Sequence, residues 1–205
     1  MPRQHALEGA VALAEDGLGK GSSATQLAAI YFDPIAERHG LRRKSLNASC
    51  VEYRRGAVFL EVWFDYRGSE FSVVVGRDQV LRERQQLYLS EILDWRRVTP
   101  SIGSFAYAEA NQRIVLQELA RLTDENAGAL LAGDDRAFAS AFVHQRQMRD
   151  ASSLAWTLED ARKRADKAWR AKDHARVIAA LAPVEEHLST ADIKRLEYCR
   201  KRQGG

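Results

Sequence analysis

Cysteine is nearly absent: Cys50 and Cys199 are the only two among 205 residues. One falls on a predicted strand and the other on a predicted terminal helix. Two isolated thiols make neither a disulfide framework nor a four-ligand zinc site, so a reducing compartment is expected. Long apolar runs are missing as well, and no stretch approaches the ~20 residues that a membrane-spanning helix requires. Ala10-Val11-Ala12-Leu13-Ala14 ends in small residues as a cleaved signal would, but Glu8 precedes it and Glu15-Asp16 follow. A cytoplasmic protein is expected. Neither sign of charge dominates: 31 Lys and Arg against 28 Asp and Glu leave +3. That balance permits contact with nucleic acid without arguing for it.

The usual marks of chemistry are absent too. His5, His39, His144, His174 and His187 never fall at the i, i+4 spacing of a helix-borne metal site. Glu185-Glu186-His187 is the densest ligand-type run, but adjacent residues on a helix point in different directions. No metal or cofactor is expected. There is no G-x-S-x-G elbow, and neither cysteine has a histidine beside it in sequence. Gly17–Ser23 invites comparison with a phosphate-binding loop. Ala14, however, stands where the first glycine belongs, and Gly21 stands where a hydroxyl should follow Lys20. It reads as a flexible linker after a short helix over residues 1–16.

What the chain does have is a strong alternation over Ala57–Arg77. Val58, Leu60, Val62, Phe64 and Tyr66 alternate with Ala57, Phe59, Glu61, Trp63 and Asp65. After a turn at Arg67-Gly68-Ser69, Phe71, Val73 and Val75 resume the apolar row, which predicts a two-stranded hairpin. Leu46–Tyr53 reads as a further strand. Ahead of it, Ser23 can cap a helix over Ala24–His39, closed by Gly40, in which Pro34 predicts a break or kink. Asp78–Pro100 is mixed, with a short helix near Ser90–Trp95. The longest helical period covers Ser104–Ala132, where Gly133 can close the helix and Asp134 can cap the next. Ala151-Ser152-Ser153 is the expected internal boundary. Thr157-x-x-Asp160 and Ser189-x-x-Asp192 resemble capping boxes for helices near 158–171 and 190–201, with a third near His174–Leu181. The spacing resembles a tetratricopeptide-like hairpin, but no second copy follows, so a helical cap on the core is expected.

The expected fold is therefore α+β: an antiparallel sheet of three to four strands packed on helices, with a helical C-terminal half. Its parts are residues 1–23 (helix and linker), 24–150 (core) and 151–205 (helical cap). Two surfaces stand out. Phe59, Glu61, Trp63 and Asp65 share the second face of the central strand, with Arg67 adjoining. Rings interleaved with carboxylates suit a partner-binding patch. Alternatively, C-terminal helices cover Phe59 and Trp63 and set Arg162 or Arg176 against the carboxylates. The second surface is a basic cluster of Arg42, Arg43, Lys44, Arg54 and Arg55, with Arg38 nearby. It suits phosphate or an acidic partner, or simply keeps a sheet edge from pairing.

Tyr31-Phe32-Asp33-Pro34, Gly40-Leu41, Val51-Glu52-Tyr53 and Val62-x-x-Asp65-Tyr66-Arg67 together resemble a pattern in small bacterial α+β proteins. Some of those proteins look like immunity partners of secreted toxins. The resemblance spans about the first half of the chain and implies a helix leading to a hairpin, with no catalytic residue carried over. The leading expectation is a non-enzymatic, immunity-like module that binds another protein. The alternatives are a nucleic-acid-associated protein using its basic loop ends and an enzyme whose site assembles only in three dimensions.

Overall fold

The computed structural model describes residues 23–67, 69–79, 84–100 and 109–204. The helix and linker expected before Ser23, the glycine of the Arg67-Gly68-Ser69 turn and the first residues of the helix expected from Ser104 lie outside them.

The alternating stretch forms the central hairpin as its pattern dictates. Strands β1 (Arg42–Leu46), β2 (Cys50–Arg55), β3 (Val58–Asp65), β4 (Glu70–Asp78) and β5 (Arg84–Tyr88) make one antiparallel sheet in sequential order. Leu60 faces Val75 across the β3–β4 ladder, Val62 faces Val73 and Phe64 faces Phe71. All six are buried on one side of the sheet. Tyr66, at the end of the alternation, leaves the strand and is exposed in the turn.

Five strands correct the expected three to four, and both extra strands have a physical reason. Leu46–Tyr53 is not one strand. The Asn47 side-chain oxygen accepts from the backbone N–H of Ser49 (2.8 Å) and of Cys50 (2.9 Å), folding the chain back on itself. β1 thus consists of residues that read as solvated loop ends. It is a basic, mostly exposed edge strand with a register shift between Arg43 and Ser45, features that discourage pairing with other chains. In β5 only Leu87 is buried, leaving no alternation to read.

Helices line the inner face. Helix α1 (Ala24–Arg38) begins at a Ser23–Gln26 capping box and packs Leu27, Phe32 and Ile35 into the core. The break expected at Pro34 does not occur. Proline removes one N–H from the helical ladder, while the buried residues on both sides of it hold the helix against the sheet. α2 (Leu89–Arg96) contributes Ile92, and α3 (Glu109–Leu131) contributes Leu116 and Leu130. Gly133, at φ +78°, closes α3 in the left-handed conformation that favours glycine. Asp134 then accepts from the N–H groups of Arg136 (2.8 Å) and Ala137 (3.1 Å) and starts α4 (Asp135–Arg170).

The chain divides into two compact units between His144 and Gln145. This division and the boundary expected at Ala151–Ser153 both lie within α4, a single helix of 36 residues. Thr157 caps nothing: its hydroxyl donates to the Ser153 carbonyl (2.8 Å), one turn back within the helix. In the second unit, α5 (His174–Leu181) and α6 (Thr190–Gln203) lie where expected, and Ser189 caps α6. Ala165, Ala168, Val177, Leu181, Leu196 and Cys199 form a small core of their own. Among the described residues no helix is long and apolar enough to cross a membrane.

Candidate functional site

The outer face of the sheet is defined by its register. Directly opposite residues point the same way. Phe59 therefore shares its face with Arg54 on β2 and Gly76 on β4. Glu61 shares it with Glu52 and Val74, and Trp63 with Cys50 and Ser72. β5 adds Arg84, Gln86 and Tyr88, opposite Asp78, Gly76 and Val74.

One half of this face is closed. The Phe59 ring lies across Gly76, where an added Cβ would come within 2.3 Å of the ring and of the Gln85 carbonyl oxygen. Glycine is required there because nothing larger fits between the ring and the neighbouring backbone. The Arg84 guanidinium carbon stands 3.9 Å from the ring centroid and that of Arg54 stands 5.5 Å away, placing cations over an aromatic face. Arg84 also pairs with Glu61, which is only 5% exposed. The second oxygen of Glu61 accepts from the Trp63 indole N–H (2.9 Å). Arg54 pairs with both Glu52 and Asp78, and Ser45 donates to Glu52 (3.2 Å). The buried carboxylate is thus paired and hydrogen-bonded within the sheet, as burial of charge requires. Arg162 and Arg176, the cations expected against these carboxylates, pair instead with Asp192 (2.9 Å) and Asp173 (3.3 Å).

The other half is open. Trp63 is 42% exposed and Tyr88 is 44% exposed, and they lie diagonally across Ser72 and Val74 of β4. Asp65 and Arg67 are exposed at the hairpin end, where Asp65 accepts from the Arg67 backbone N–H (2.9 Å) and shapes the turn. Of the residues proposed from sequence, Trp63, Asp65 and Arg67 are accessible, whereas Phe59 and Glu61 are buried, and Glu61 holds the Trp63 indole. Tyr88, Gly76 and Arg84 were not foreseen. Gly76 carried a usable signal, a glycine inside an apolar strand, which marks close approach of another group. Arg84 carried none.

The basic cluster disperses. Arg43 pairs with Asp33 (3.2 Å), and Arg54 pairs as above. Arg55 donates to the carbonyls of His39 (2.6 Å) and Leu131 (2.8 Å), tying β2 to the C-terminal ends of α1 and α3. Arg42 and Lys44 are exposed on the edge strand. Three of the five cations thus serve the fold.

A pocket of about 260 Å³ beside β1 is lined by Asp33, Glu37, Arg42, Arg43 and Tyr53 among others. The Tyr53 hydroxyl donates to Asp33 (2.8 Å), and Arg43 engages the other Asp33 oxygen. Burial and the Asp33 charge push the Tyr53 phenol far above its ordinary range, so it stays protonated. No cluster of three or more metal-ligating side chains occurs among the described residues.

Cys50 lies opposite Trp63 but is buried, and burial, then the Glu61 and Glu52 charges, push its thiol up to about 12. Burial raises the Cys199 thiol as well. Only the thiolate is nucleophilic, so both cysteines should be inert. We expect neither to react with a disulfide reagent at about pH 8, where a free cysteine is partly ionised, and both to react once the chain is unfolded. Rapid labelling of Cys50 in the native protein would contradict its placement.

Comparison of the chain with models of known protein families, with curated proteins and with solved structures finds no match.

Proposed function

We propose that this protein is a non-enzymatic binding module that engages another protein through the open half of the sheet's outer face. The observation that carries this reading is a pair of half-exposed aromatic side chains, Trp63 and Tyr88, fixed on a rigid sheet above a closed polar layer. The indole is held by its hydrogen bond to Glu61, and Glu61 is held by Arg84, so the ring is ordered before any partner arrives. Preorganised aromatic side chains on a rigid support supply most of the energy in protein interfaces at little entropic cost. Asp65 and Arg67 at the rim supply charges that select and steer the partner.

The complementary surface is an apolar projection that seats between Trp63 and Tyr88, with a cation reaching Asp65. The finer form of the reading follows from the resemblance of the first half of the chain to toxin-immunity partners: the module binds and neutralises a protein toxin in the cytoplasm. The test is affinity capture from the source cells with wild-type and Trp63→Ala baits. Trp63→Ala removes the indole donor to the buried Glu61 carboxylate, so it should cost the isolated fold about 1–3 kcal/mol, and it should separately weaken the complex by about 2 kcal/mol or more, the loss typical of an interface anchor. Equal recovery of the same proteins by both baits would refute the assignment of this face.

A further inference from the structure

We infer that the second unit carries a binding surface for single-stranded nucleic acid at the shared end of α4 and α6. This surface is separate from the sheet face and goes beyond the reading above. Its basis is a ladder of side-chain pairs between the two helices. Arg162 pairs with Asp192 (2.9 Å), and three to four residues further along both helices Asp166 pairs with Arg195. The next rung is aromatic: the ring centroids of Trp169 and Tyr198 lie 5.6 Å apart, edge to face. Because both members of each pair advance together, the helices run parallel here and finish at the same end. That end brings Lys172 from the turn after α4 and Lys201 and Arg202 from the last turn of α6, all three exposed. Two complementary ionic rungs thus lead to an aromatic rung, beyond which Arg202 Nε donates to the Tyr198 hydroxyl (3.1 Å) and Lys172 and Lys201 stand exposed.

The charge excess is local. Residues 145–205 hold 14 Lys and Arg against nine Asp and Glu, in a chain whose total excess is only three. Arg162, Lys163, Arg164, Arg176, Arg195 and Arg200 are each matched to a carboxylate. Basic side chains in a last turn also offset the helix carbonyl ends. That role leaves two features unexplained. Trp169 and Tyr198 remain 37% and 43% exposed beside the cations. Lys172 sits at φ +57°, a position closing a helix where glycine or asparagine is less strained.

Exposed rings next to cations that pair with no carboxylate among the described residues are the two components that bind unpaired strands: bases stack on rings or on guanidinium planes, and cations meet phosphates. Here the guanidinium carbon of Arg195 lies 5.3 Å from the Trp169 ring centroid and that of Arg202 lies 5.5 Å from that of Tyr198, so one face of each ring is covered by a guanidinium and a base stacks on the outer guanidinium plane or on the ring's remaining exposed surface.

The test is fluorescence anisotropy of labelled oligouridylate and oligothymidylate of about 20 nucleotides, titrated with the full chain over a range of salt. Binding should saturate, and three phosphate contacts predict a log–log salt slope of about −2. Trp169→Ala should weaken binding about tenfold with the slope kept, and Trp169→Phe, which retains a ring, should restore most of it. Lys172→Asn with Lys201→Gln and Arg202→Gln should flatten the slope and weaken binding at least about tenfold. Lys172→Asn alone removes a charge at a position asparagine tolerates, so it separates lost binding from lost folding. The two oligonucleotides distinguish RNA from DNA. No saturation at low salt, wild-type affinity in the charge variants, or equal competition by polyglutamate of matched charge would overturn the inference, the last by assigning the surface to acidic peptides.

Discussion

Phe59→Ala is expected to destabilise the first unit by about 3–5 kcal/mol, the cost of emptying a fully buried aromatic site. The size of the effect follows from what encloses the ring. It lies on the backbone at Gly76, and Arg84 and Arg54 cover it. Gly76 has no side chain to collapse into the space, and the β3–β4 ladder fixes the separation of the two strands. Arg84 would lose its aromatic support while still bound to Glu61, so the buried carboxylate would become more hydrated. Phe59→Leu should recover part of the loss. Reversible urea denaturation measures both. A midpoint within error of wild type for Phe59→Ala would mean that the outer face is not closed in this way.

Leu60→Ala, one residue along the same strand, is expected to cost about 2–5 kcal/mol through the opposite face. Leu60 is fully buried opposite Val75 and belongs to the core formed by α1, α3 and the sheet. Its loss removes apolar burial and leaves a cavity whose final volume sets the position within that range. Neighbouring residues on one strand point to opposite faces. Each substitution therefore reports on one side of the sheet, and two large effects at adjacent positions require both sides to be filled. A small effect at Leu60 with a large one at Phe59 would mean that the register is shifted by one residue.

The legibility of the sequence tracks how local the determining physics is. The hairpin was readable because period-2 alternation is a property of consecutive residues, and the α6 cap because Ser189 and Asp192 lie three apart. β1 was hidden because a basic edge strand and a solvated loop have the same composition. The helix through Ala151–Ser153 was hidden because small polar residues suit a linker equally well, while the surrounding turns of α4 decide the matter. At the site, the pattern placed Phe59, Glu61, Trp63 and Asp65 on one face but did not order them by depth. Depth depends on Arg84 and Gly76, which are brought alongside by strand pairing, 25 and 17 residues from Phe59 in sequence. The closed and open halves of the face are therefore a consequence of register rather than of local pattern.

Hydroxyl-radical footprinting with mass spectrometry tests this division most directly. In the isolated protein, Trp63 and Tyr88 should be modified as readily as the exposed Tyr66, whereas Phe59 should be protected like Phe32 and Phe71 of the core. Adding extract of the source cells should protect Trp63 and Tyr88 and leave Trp156, exposed in the second unit, unchanged. Modification of Phe59 in the isolated chain, or Trp63 and Tyr88 equally reactive with and without extract, would contradict a sheet face closed at one end and offered to a protein partner at the other.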